Sequence, residues 1–264
     1  MNQLNAAFYC FAPLADLPRL RAQWKPRLET IGVKGTIILA PEGVNGFLAG
    51  TRSALEDALT LIRSLPALAG LEAKVSESEQ VPFEKLFIKL KPEIVTFRVP
   101  GTSPMEAPPA PRIQAEELAA WIEQKKDFIL LDTRNEYESR LGSFEGAHLP
   151  AIDHFVHFAA AAKELPESWK KKTVVSFCTG GIRCEKAAPY LQSLGFENVL
   201  QLDGGILKYF EKVGGTGFRG DCFVFDQRVA LTPDLLPSGA SLCTACQGPV
   251  PKDCASCIHC GAGR

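Results

Sequence analysis

The stretch VVSFCTGGIRCEKAAPYL, residues 174–191, constrains the fold of this chain more than any other segment. An apolar, β-branched run leads into a loop with two glycines, and residues at helical spacing follow the loop. A strand that passes through a short loop into a helix is the repeating unit of parallel α/β sheets. Strands and helices alternate around this segment, which therefore predicts an α/β domain.

The loop itself carries a pattern that indicates reactivity, because Cys178 opens it and Arg183 closes it. Backbone N–H groups at such a strand–helix junction form an anion-binding nest. The glycines allow backbone conformations that side chains obstruct. A cysteine in this position has a lowered pKa, and an arginine adds a fixed positive charge. The sequence predicts a thiolate at Cys178 in an anion cradle formed by Thr179, Gly180, Gly181, Ile182 and Arg183.

The length of the loop narrows its chemistry. Four residues separate Cys178 from Arg183, one fewer than in the loop of cysteine-dependent phosphatases. The shorter loop favours a sulfur atom carried on the cysteine as a persulfide over a bound tetrahedral phosphate. A buried structural cysteine before a glycine turn is the alternative, and the combination of cysteine, glycines, arginine and strand–helix context disfavours it.

Residues 1–98 form a separate predicted unit in which elements follow the order β-α-β-β-α-β. Apolar residues at helical spacing predict a helix that ends at Gly32 and a second helix with a Ser or Thr as N-cap. Two short strands between these helices are joined by a predicted turn within 42–46, and the segment 83–97 closes the unit as a strand. This order predicts a ferredoxin-like sandwich.

The closing strand has two different faces, because leucine and isoleucine alternate with lysine and phenylalanine along 85–91. Both helices of a ferredoxin-like sandwich cover one sheet face, so the lysines and the aromatic ring fall on the open face. This combination suits an RNA backbone with a stacked base. The alternative is a solvated strand whose lysines block edge pairing. The candidate RNA-binding residues are Lys85, Phe87, Lys89 and Lys91.

The remaining sequence divides into three predicted parts. Residues 99–112 hold five prolines and predict a linker or an extended excursion. Residues 113–215 alternate between strands and helices and predict the α/β domain with a parallel sheet. Residues 216–264 form a C-terminal extension that is rich in loops and cysteines.

Five of the nine cysteines lie between positions 243 and 260, which favours metal binding or thiol chemistry over a disulfide framework. Two Cys-x2-Cys pairs, each of which presents two thiolates to one tetrahedral ion, predict a structural zinc site. Only ten residues separate the pairs, and a disordered or redox-active thiol tail is the alternative. The predicted ligands are Cys243, Cys246, Cys257 and Cys260, with Cys254 and His259 as spare candidates.

Composition excludes several classes of function. A formal net charge of −1 argues against general electrostatic attraction to nucleic acid, although it allows a local basic patch. The N-terminal sequence lacks the pattern of a signal peptide, and no run of about 18 apolar residues predicts a membrane span. We therefore expect a cytoplasmic protein without membrane contact. No G-x-G-x-x-G fingerprint indicates flavin or NAD, and nothing indicates haem.

Four motifs, in this order and spacing along the chain, resemble a rhodanese domain over about residues 110–215: LLDTRNEYE, GSFEGAHLP, CTGGIR and LDGGI. Rhodanese-like domains carry sulfur as a cysteine persulfide, so the resemblance implies that Cys178 is the active-site cysteine. It also implies that Asp132 and Arg134 lie at a strand end beside the loop. A structural ion pair and a direct catalytic part are both open for these two residues.

A resemblance over nearly the whole chain is to the rhodanese-containing tRNA uridine hydroxylases, through APEGVNG, DTRNEYE, CTGGIRCEKA and GDCFVFDQRVA. It implies oxygen-dependent 5-hydroxylation of uridine 34, the anticodon wobble position. Molecular oxygen would be the co-substrate with an unidentified reductant, and the tRNA anticodon arm the partner. One position departs from the family pattern: Val156 stands between Phe155 and Phe158 in place of an arginine, which bears on one RNA or loop contact.

Several roles stay open at the level of sequence. A sulfurtransferase that carries persulfide sulfur on Cys178 and a non-catalytic tRNA-binding module are the alternatives to hydroxylation. Cys184 is a candidate redox thiol, core cysteine or loop support. A non-haem iron site needs two histidines and a carboxylate. Asp153, His154 and His157 lie close together in sequence, but the family pattern does not require them.

Overall fold

A computed structural model describes residues 3–263. The chain divides into two units, Met1–Thr96 and Phe97–Arg264. The helices and strands of the first unit are β1 (Gln3–Phe11), α1 (Leu17–Ile31), β2 (Lys34–Ala40), β3 (Gly43–Gly50), α2 (Arg52–Arg63), β4 (Ala73–Ser78) and β5 (Leu86–Leu90).

The first unit is the predicted ferredoxin-like sandwich with one added strand. Its sheet has the order β4-β1-β3-β2-β5, in which β1 runs antiparallel to β3 and β4 while β5 runs parallel to β2. Helix α1 ends at Gly32, whose φ of +88° suits a residue without a side chain. Helix α2 begins after Thr51, whose hydroxyl accepts the Ala54 N–H at 3.2 Å. Both helix boundaries confirm the prediction.

The strand count of this unit corrects the prediction. The sequence predicts that the segment 83–97 closes the sheet as its fourth strand. This segment instead contains β5, a fifth strand at the sheet edge. The fourth strand is β4, which has the sequence AKVSES and no run of buried apolar residues. Its largest apolar side chain, Val75, is 52% exposed. Pairing with β1 and a 2.9 Å hydrogen bond from Asn5 Nδ2 to Ser78 Oγ hold the strand in place.

The turn between β2 and β3 also differs from the prediction. Pro41 and Glu42 form the turn, whereas the Asn45–Gly46 pair lies within β3. Gly46 faces the buried ring of Phe8, and a Cβ atom at position 46 would lie 2.6 Å from the Cε2 atom of that ring. The glycine is therefore required for the close approach of Phe8 rather than for a turn.

The second unit contains the predicted parallel sheet. Its four strands have the order β6-β10-β9-β7, and all three pairings are parallel. The elements are β6 (Arg112–Ile113), α3 (Ala115–Glu123), β7 (Ile129–Asp132), α4 (Glu136–Ser139), β8 (Gly142–Phe144), α5 (Phe158–Lys163), β9 (Thr173–Phe177), α6 (Cys184–Ser193), β10 (Asn198–Leu202), α7 (Gly205–Val213), β11 (Phe218–Gly220), β12 (Cys222–Phe223), β13 (Ala230–Leu231), β14 (Ser241–Leu242) and β15 (Pro249–Val250).

Short antiparallel pairs extend this unit after the parallel sheet: β11 with β8, β12 with β13, and β14 with β15. The proline-rich stretch before β6 forms turns, and its residues Thr102, Ser103 and Ala110 are buried. The Gln201 side chain donates to the Ala110 carbonyl oxygen at 3.1 Å and so ties this stretch to β10. Among residues 3–263, no helix is long and apolar enough to cross a membrane.

Candidate active site

The cradle lies between β9 and α6, at the carboxyl end of a central strand of the parallel sheet. Cys178 follows the last residue of β9 and is only 1% exposed. Gly181 has a φ of +98°, and its N–H lies 3.1 Å from the Cys178 Sγ atom. The loop therefore presents a backbone N–H to the thiol, as the glycine pattern predicts.

The surroundings of Cys178 favour the thiolate. Burial alone would raise the pKa of this thiol, because it removes water from the charged form. The hydrogen bond from Cys184, the charge of Arg183 and hydrogen bonds from the loop backbone outweigh burial and lower the pKa of Cys178 to about 6. A thiol with that pKa is mostly ionised at neutral pH and is a competent nucleophile.

Cys184 is the neutral partner of this pair. It is fully buried at the start of α6, and burial together with the neighbouring Cys178 raises its pKa well above the usual value. Its sulfur also lies 3.7 Å from the Thr133 hydroxyl. Cys184 thus keeps its proton and donates it in a hydrogen bond to the Cys178 thiolate. Which of its three candidate roles it serves stays a prediction.

Arg183 is oriented by a residue that sequence patterns did not identify. Its guanidinium forms a buried ion pair with the Glu138 carboxylate in α4, at 2.8 Å and 3.1 Å. Glu138 also accepts the Asn135 N–H at 3.1 Å, which completes a capping box at the start of α4. The arginine contributes positive charge to the cradle from a fixed position, since the side chain of Glu138 is itself fully buried.

A helix packs directly against the back of the cradle. The N–H groups of Ile206 and Leu207, in the first turn of α7, donate to the carbonyl oxygens of Cys178 and Thr179 at 3.0 Å and 3.1 Å. A Cβ atom at Gly205 would collide with the Cys178 carbonyl oxygen and lie 2.7 Å from the Gly181 nitrogen. This close approach explains the second glycine in LDGGI, Gly205, because no larger residue fits there.

The motif GDCFVFD forms the other support of the cradle. Thr179 Oγ1 donates to the Phe223 carbonyl oxygen at 3.5 Å, and the Arg183 guanidinium lies 5.6 Å from the centroid of the Phe225 ring. Cys222 is buried between these elements, and burial raises its pKa to about 12. Cys222 is therefore a protonated core residue, in agreement with its apolar sequence context.

Asp132 and Arg134 lie at the end of β7 and bind each other. The guanidinium and carboxylate form a bidentate buried pair, with a shortest N–O distance of 2.6 Å. Arg134 also donates to the Gly142 carbonyl oxygen at 2.7 Å, and Ser143 Oγ donates to Asp132 at 2.8 Å. These contacts connect β7 to β8, as expected of a structural ion pair. An auxiliary catalytic role for Asp132 and Arg134 stays a prediction.

The four cysteines predicted as metal ligands converge in the C-terminal extension. All four Sγ atoms lie within 4.8 Å of one another, with 3.7 Å between Cys243 and Cys260 and 3.6 Å between Cys246 and Cys257. Tetrahedral zinc with Zn–S bonds of about 2.3 Å requires S–S separations of about 3.8 Å. Backbone N–H groups approach three of the sulfurs at 3.4 Å, which stabilises thiolates. The donor set and spacing therefore fit a structural zinc ion.

The other candidate residues lie elsewhere. In the first unit, Phe87 and Lys89 of β5 are exposed, as are Lys85 and Lys91 directly before and after the strand. Leu86 and Ile88 are buried, so the predicted alternation is confirmed.

The three residues considered for an iron site, Asp153, His154 and His157, are exposed. Within the described part of the chain, the cysteine quartet is the one group of ligand side chains close enough to hold a metal. At the departure from the family pattern, Phe155 is stacked on Phe97 at 4.7 Å, and Val156 is half-buried beside it.

Comparison with known proteins places both units in described families. A UPF0176 acylphosphatase like domain matches residues 4–94, and a Rhodanese-like domain matches residues 114–212. A tRNA uridine(34) hydroxylase from Bordetella petrii is 50% identical over 242 residues, which cover 90% of this chain and 96% of that protein. The chain belongs to the tRNA uridine(34) hydroxylase family. The resemblance drawn from the sequence motifs is confirmed.

Another member of the tRNA uridine(34) hydroxylase family, from Cupriavidus metallidurans, is 43% identical over 274 residues that cover 98% of this chain and 97% of that protein. Among solved structures, a rhodanese-like domain from Anabaena is 26% identical with a TM-score of 0.35, and the match covers 42% of this chain and 79% of that chain.

The hydrogen bond from Cys184 predicts how Cys178 titrates. Iodoacetamide alkylation of the Cys178 peptide, followed by mass spectrometry across pH, should show a midpoint near 6 in the wild type. Cys184→Ala removes the donor and should move the midpoint upward by about one to two pH units, because a hydrogen bond to a charged group contributes roughly 1.5–3 kcal/mol. Cys184→Ser keeps a donor and serves as the control. A midpoint unchanged in Cys184→Ala would contradict the assigned role.

Proposed function

We propose that this protein catalyses the oxygen-dependent 5-hydroxylation of uridine 34 in the tRNA anticodon, with Cys178 as the essential thiolate. The observation that carries the proposal is a buried thiolate in a complete cradle, in a chain that matches tRNA uridine(34) hydroxylases over nearly its full length. Insertion of one oxygen atom into the C5–H bond leaves the second to be reduced to water. Molecular oxygen is therefore the co-substrate, and a two-electron reductant is required.

The position of Cys178 determines how the substrate has to approach. Its sulfur is almost fully buried at the end of β9, so a base within a stacked anticodon cannot reach it. The uridine must be extruded from the stack, as in other enzymes that act on a nucleobase. The Gly181 N–H and the Arg183 charge hold the thiolate in its ionised form while the base enters.

Loss of the thiolate should abolish the modification in cells. In a strain that lacks this gene, wild-type protein should restore 5-hydroxyuridine-derived nucleosides at position 34, as measured by mass spectrometry of digested tRNA. Cys178→Ala should restore none, because the neighbouring Cys184 stays protonated and no second thiolate is available. Cys10→Ala, which changes a cysteine in the other unit, is the matched control and should restore the modification fully.

Two outcomes would favour the alternatives. Full complementation by Cys178→Ala would refute an essential Cys178 thiolate and favour a non-catalytic tRNA-binding module. Strong thiosulfate:cyanide sulfurtransferase turnover that depends on Cys178, with unchanged tRNA hydroxylation after gene disruption, would identify a sulfurtransferase.

We further propose that the exposed face of β5 contacts the tRNA, and that the protein acts in the cytoplasm together with its substrate. Phe87 is 51% exposed, and the Lys89 ammonium lies 5.8 Å from the centroid of its ring. Lysines that flank an exposed aromatic ring supply both phosphate contacts and a stacking surface. In this proposal, residues 1–98 bind RNA, and residues 113–215 carry the reactive cysteine. The linker at 99–112 connects these two domains, and the extension at 216–264 follows the second.

A charge reversal on this face should weaken tRNA binding. The double variant Lys85→Glu/Lys89→Glu should raise the Kd for unmodified tRNA by about 10-fold or more at low salt and reduce its salt dependence. The charge-matched control is Arg21→Glu/Lys25→Glu on α1, a helix on the opposite face of the sheet, where both side chains are exposed. Equal loss of affinity in the two double variants, measured by filter binding, would refute the assigned surface.

We also propose that Cys243, Cys246, Cys257 and Cys260 hold a structural zinc ion. The cysteine-rich end of the extension has a small core of its own, formed by Cys243, Val250 and Cys257. A bound metal would therefore supply much of the stability of this segment. The extension also contacts the rhodanese-like domain, because the Arg140 guanidinium donates to the Ile258 carbonyl oxygen at 3.3 Å.

Metal analysis tests this site directly. The purified protein should contain about one zinc per chain, and Cys246→Ser should lose most of it, because three thiolates bind zinc far more weakly than four. Cys254→Ser changes a cysteine of the same extension outside the quartet and should keep the metal. Zinc content that is unaffected by Cys246→Ser, or absent from the wild type, would contradict the assignment.

A further inference from the structure

The hairpin of β12 and β13 carries Phe225, a residue of the GDCFVFD motif that the packing of the core does not explain. The Val224 N–H donates to the Val229 carbonyl oxygen at 2.9 Å, and Asp226 and Arg228 form a buried bidentate ion pair at the tip of the hairpin. These contacts fix the backbone on both sides of Phe225. A rigid loop that presents an aromatic ring loses little conformational entropy when it binds a partner.

Phe225 is exposed although its neighbours are buried. Its exposed fraction is 48%, whereas Phe223 and Val224 are 7% and 1% exposed. The ring packs edge-to-face against Phe223 at 5.1 Å, and its face is directed to the Arg183 guanidinium at 5.6 Å. A single exposed apolar side chain is common on protein surfaces, and Phe225 is distinguished by its position beside Arg183 on a rigid hairpin.

Arg183 connects this ring to the reactive cysteine. The same guanidinium lowers the pKa of Cys178 through its charge and lies against Phe225. Arg183 is only 8% exposed, and its Nη2 atom donates to Glu138. Glu138 therefore fixes the guanidinium against one face of the half-exposed Phe225 ring.

We propose that Phe225 is a stacking platform for a pyrimidine base at the entrance to the cradle, and that the base stacks on the side of the ring away from Arg183. A uracil ring meets this requirement, because it has a π-face that can lie on the phenylalanine ring. The inference rests on the proposed function for the identity of the base. It assigns substrate binding to a residue outside the cysteine loop.

The test uses full-length protein with an aromatic series at position 225. Phe225→Leu keeps an apolar side chain but removes the π-face. It should raise the Kd for an unmodified anticodon stem–loop RNA with uridine at position 34 by roughly 5- to 150-fold, the range that base–aromatic stacking supplies. It should lower kcat/KM for tRNA hydroxylation by a similar factor. Phe225→Tyr and Phe225→Trp retain a π-face and should stay within about 3-fold of wild type for both quantities.

Two controls separate stacking from a structural role. Leu236→Ala truncates a side chain of the same extension that is 61% exposed and should leave both quantities unchanged. The iodoacetamide midpoint of Cys178 should be the same in Phe225→Leu as in the wild type, because Glu138 still holds Arg183.

The outcomes distinguish this inference from the proposed function. Wild-type affinity and activity in Phe225→Leu would overturn the platform while leaving hydroxylation intact. Equal losses in the Leu, Tyr and Trp variants would show a packing role and would also overturn it. Loss of RNA affinity in Phe225→Leu with rescue by Phe225→Tyr, in a wild-type protein that hydroxylates no tRNA, would support the platform and refute the proposed function.

Discussion

A negative charge on an almost fully buried sulfur atom is the condition on which the rest of the site depends. Burial by itself opposes ionisation of Cys178, so the protein has to provide compensating donors and positive charge. It does so with the Gly181 N–H, the Cys184 thiol and the Arg183 guanidinium. Each of these groups is itself buried and fixed, which makes the stabilisation independent of mobile solvent.

The neighbouring elements are explained by the same requirement. Glu138 holds Arg183 by a buried ion pair, and the first turn of α7 binds the carbonyl oxygens of Cys178 and Thr179. The β12–β13 hairpin accepts a hydrogen bond from the Thr179 hydroxyl and places the Phe225 ring beside Arg183. Three separate segments of the second unit therefore meet at one loop of six residues. Because the loop is held from several sides, its N–H groups are preorganised for an anion.

Local patterns predicted the parts of this architecture that depend on local chemistry. The strand, glycine loop and helix around Cys178 follow from residue type and spacing, as does the convergence of two Cys-x2-Cys pairs. Strand β4 could not be predicted because an edge strand of polar residues has no apolar alternation. Asn45–Gly46 predicted a turn wrongly, since the glycine makes room for the ring of Phe8 from another strand.

The roles of Glu138 and Phe225 depend on partners that are 45 and 42 residues distant in the chain, at Arg183. No local pattern reveals such pairs. The GDCFVFD motif indicates the family resemblance, but its contact with the cradle depends on the three-dimensional fold.

The most direct test of a thiolate-dependent, oxygen-dependent hydroxylase follows the origin of the oxygen atom. Purified protein is added to an extract of the deletion strain, which supplies the reductant, with unmodified tRNA under ¹⁸O₂. Heavy oxygen should enter the C5 hydroxyl of uridine 34 with wild-type protein, and Cys178→Ala should give none. A hydroxyl group with unlabelled oxygen, or labelled product from Cys178→Ala, would contradict the account.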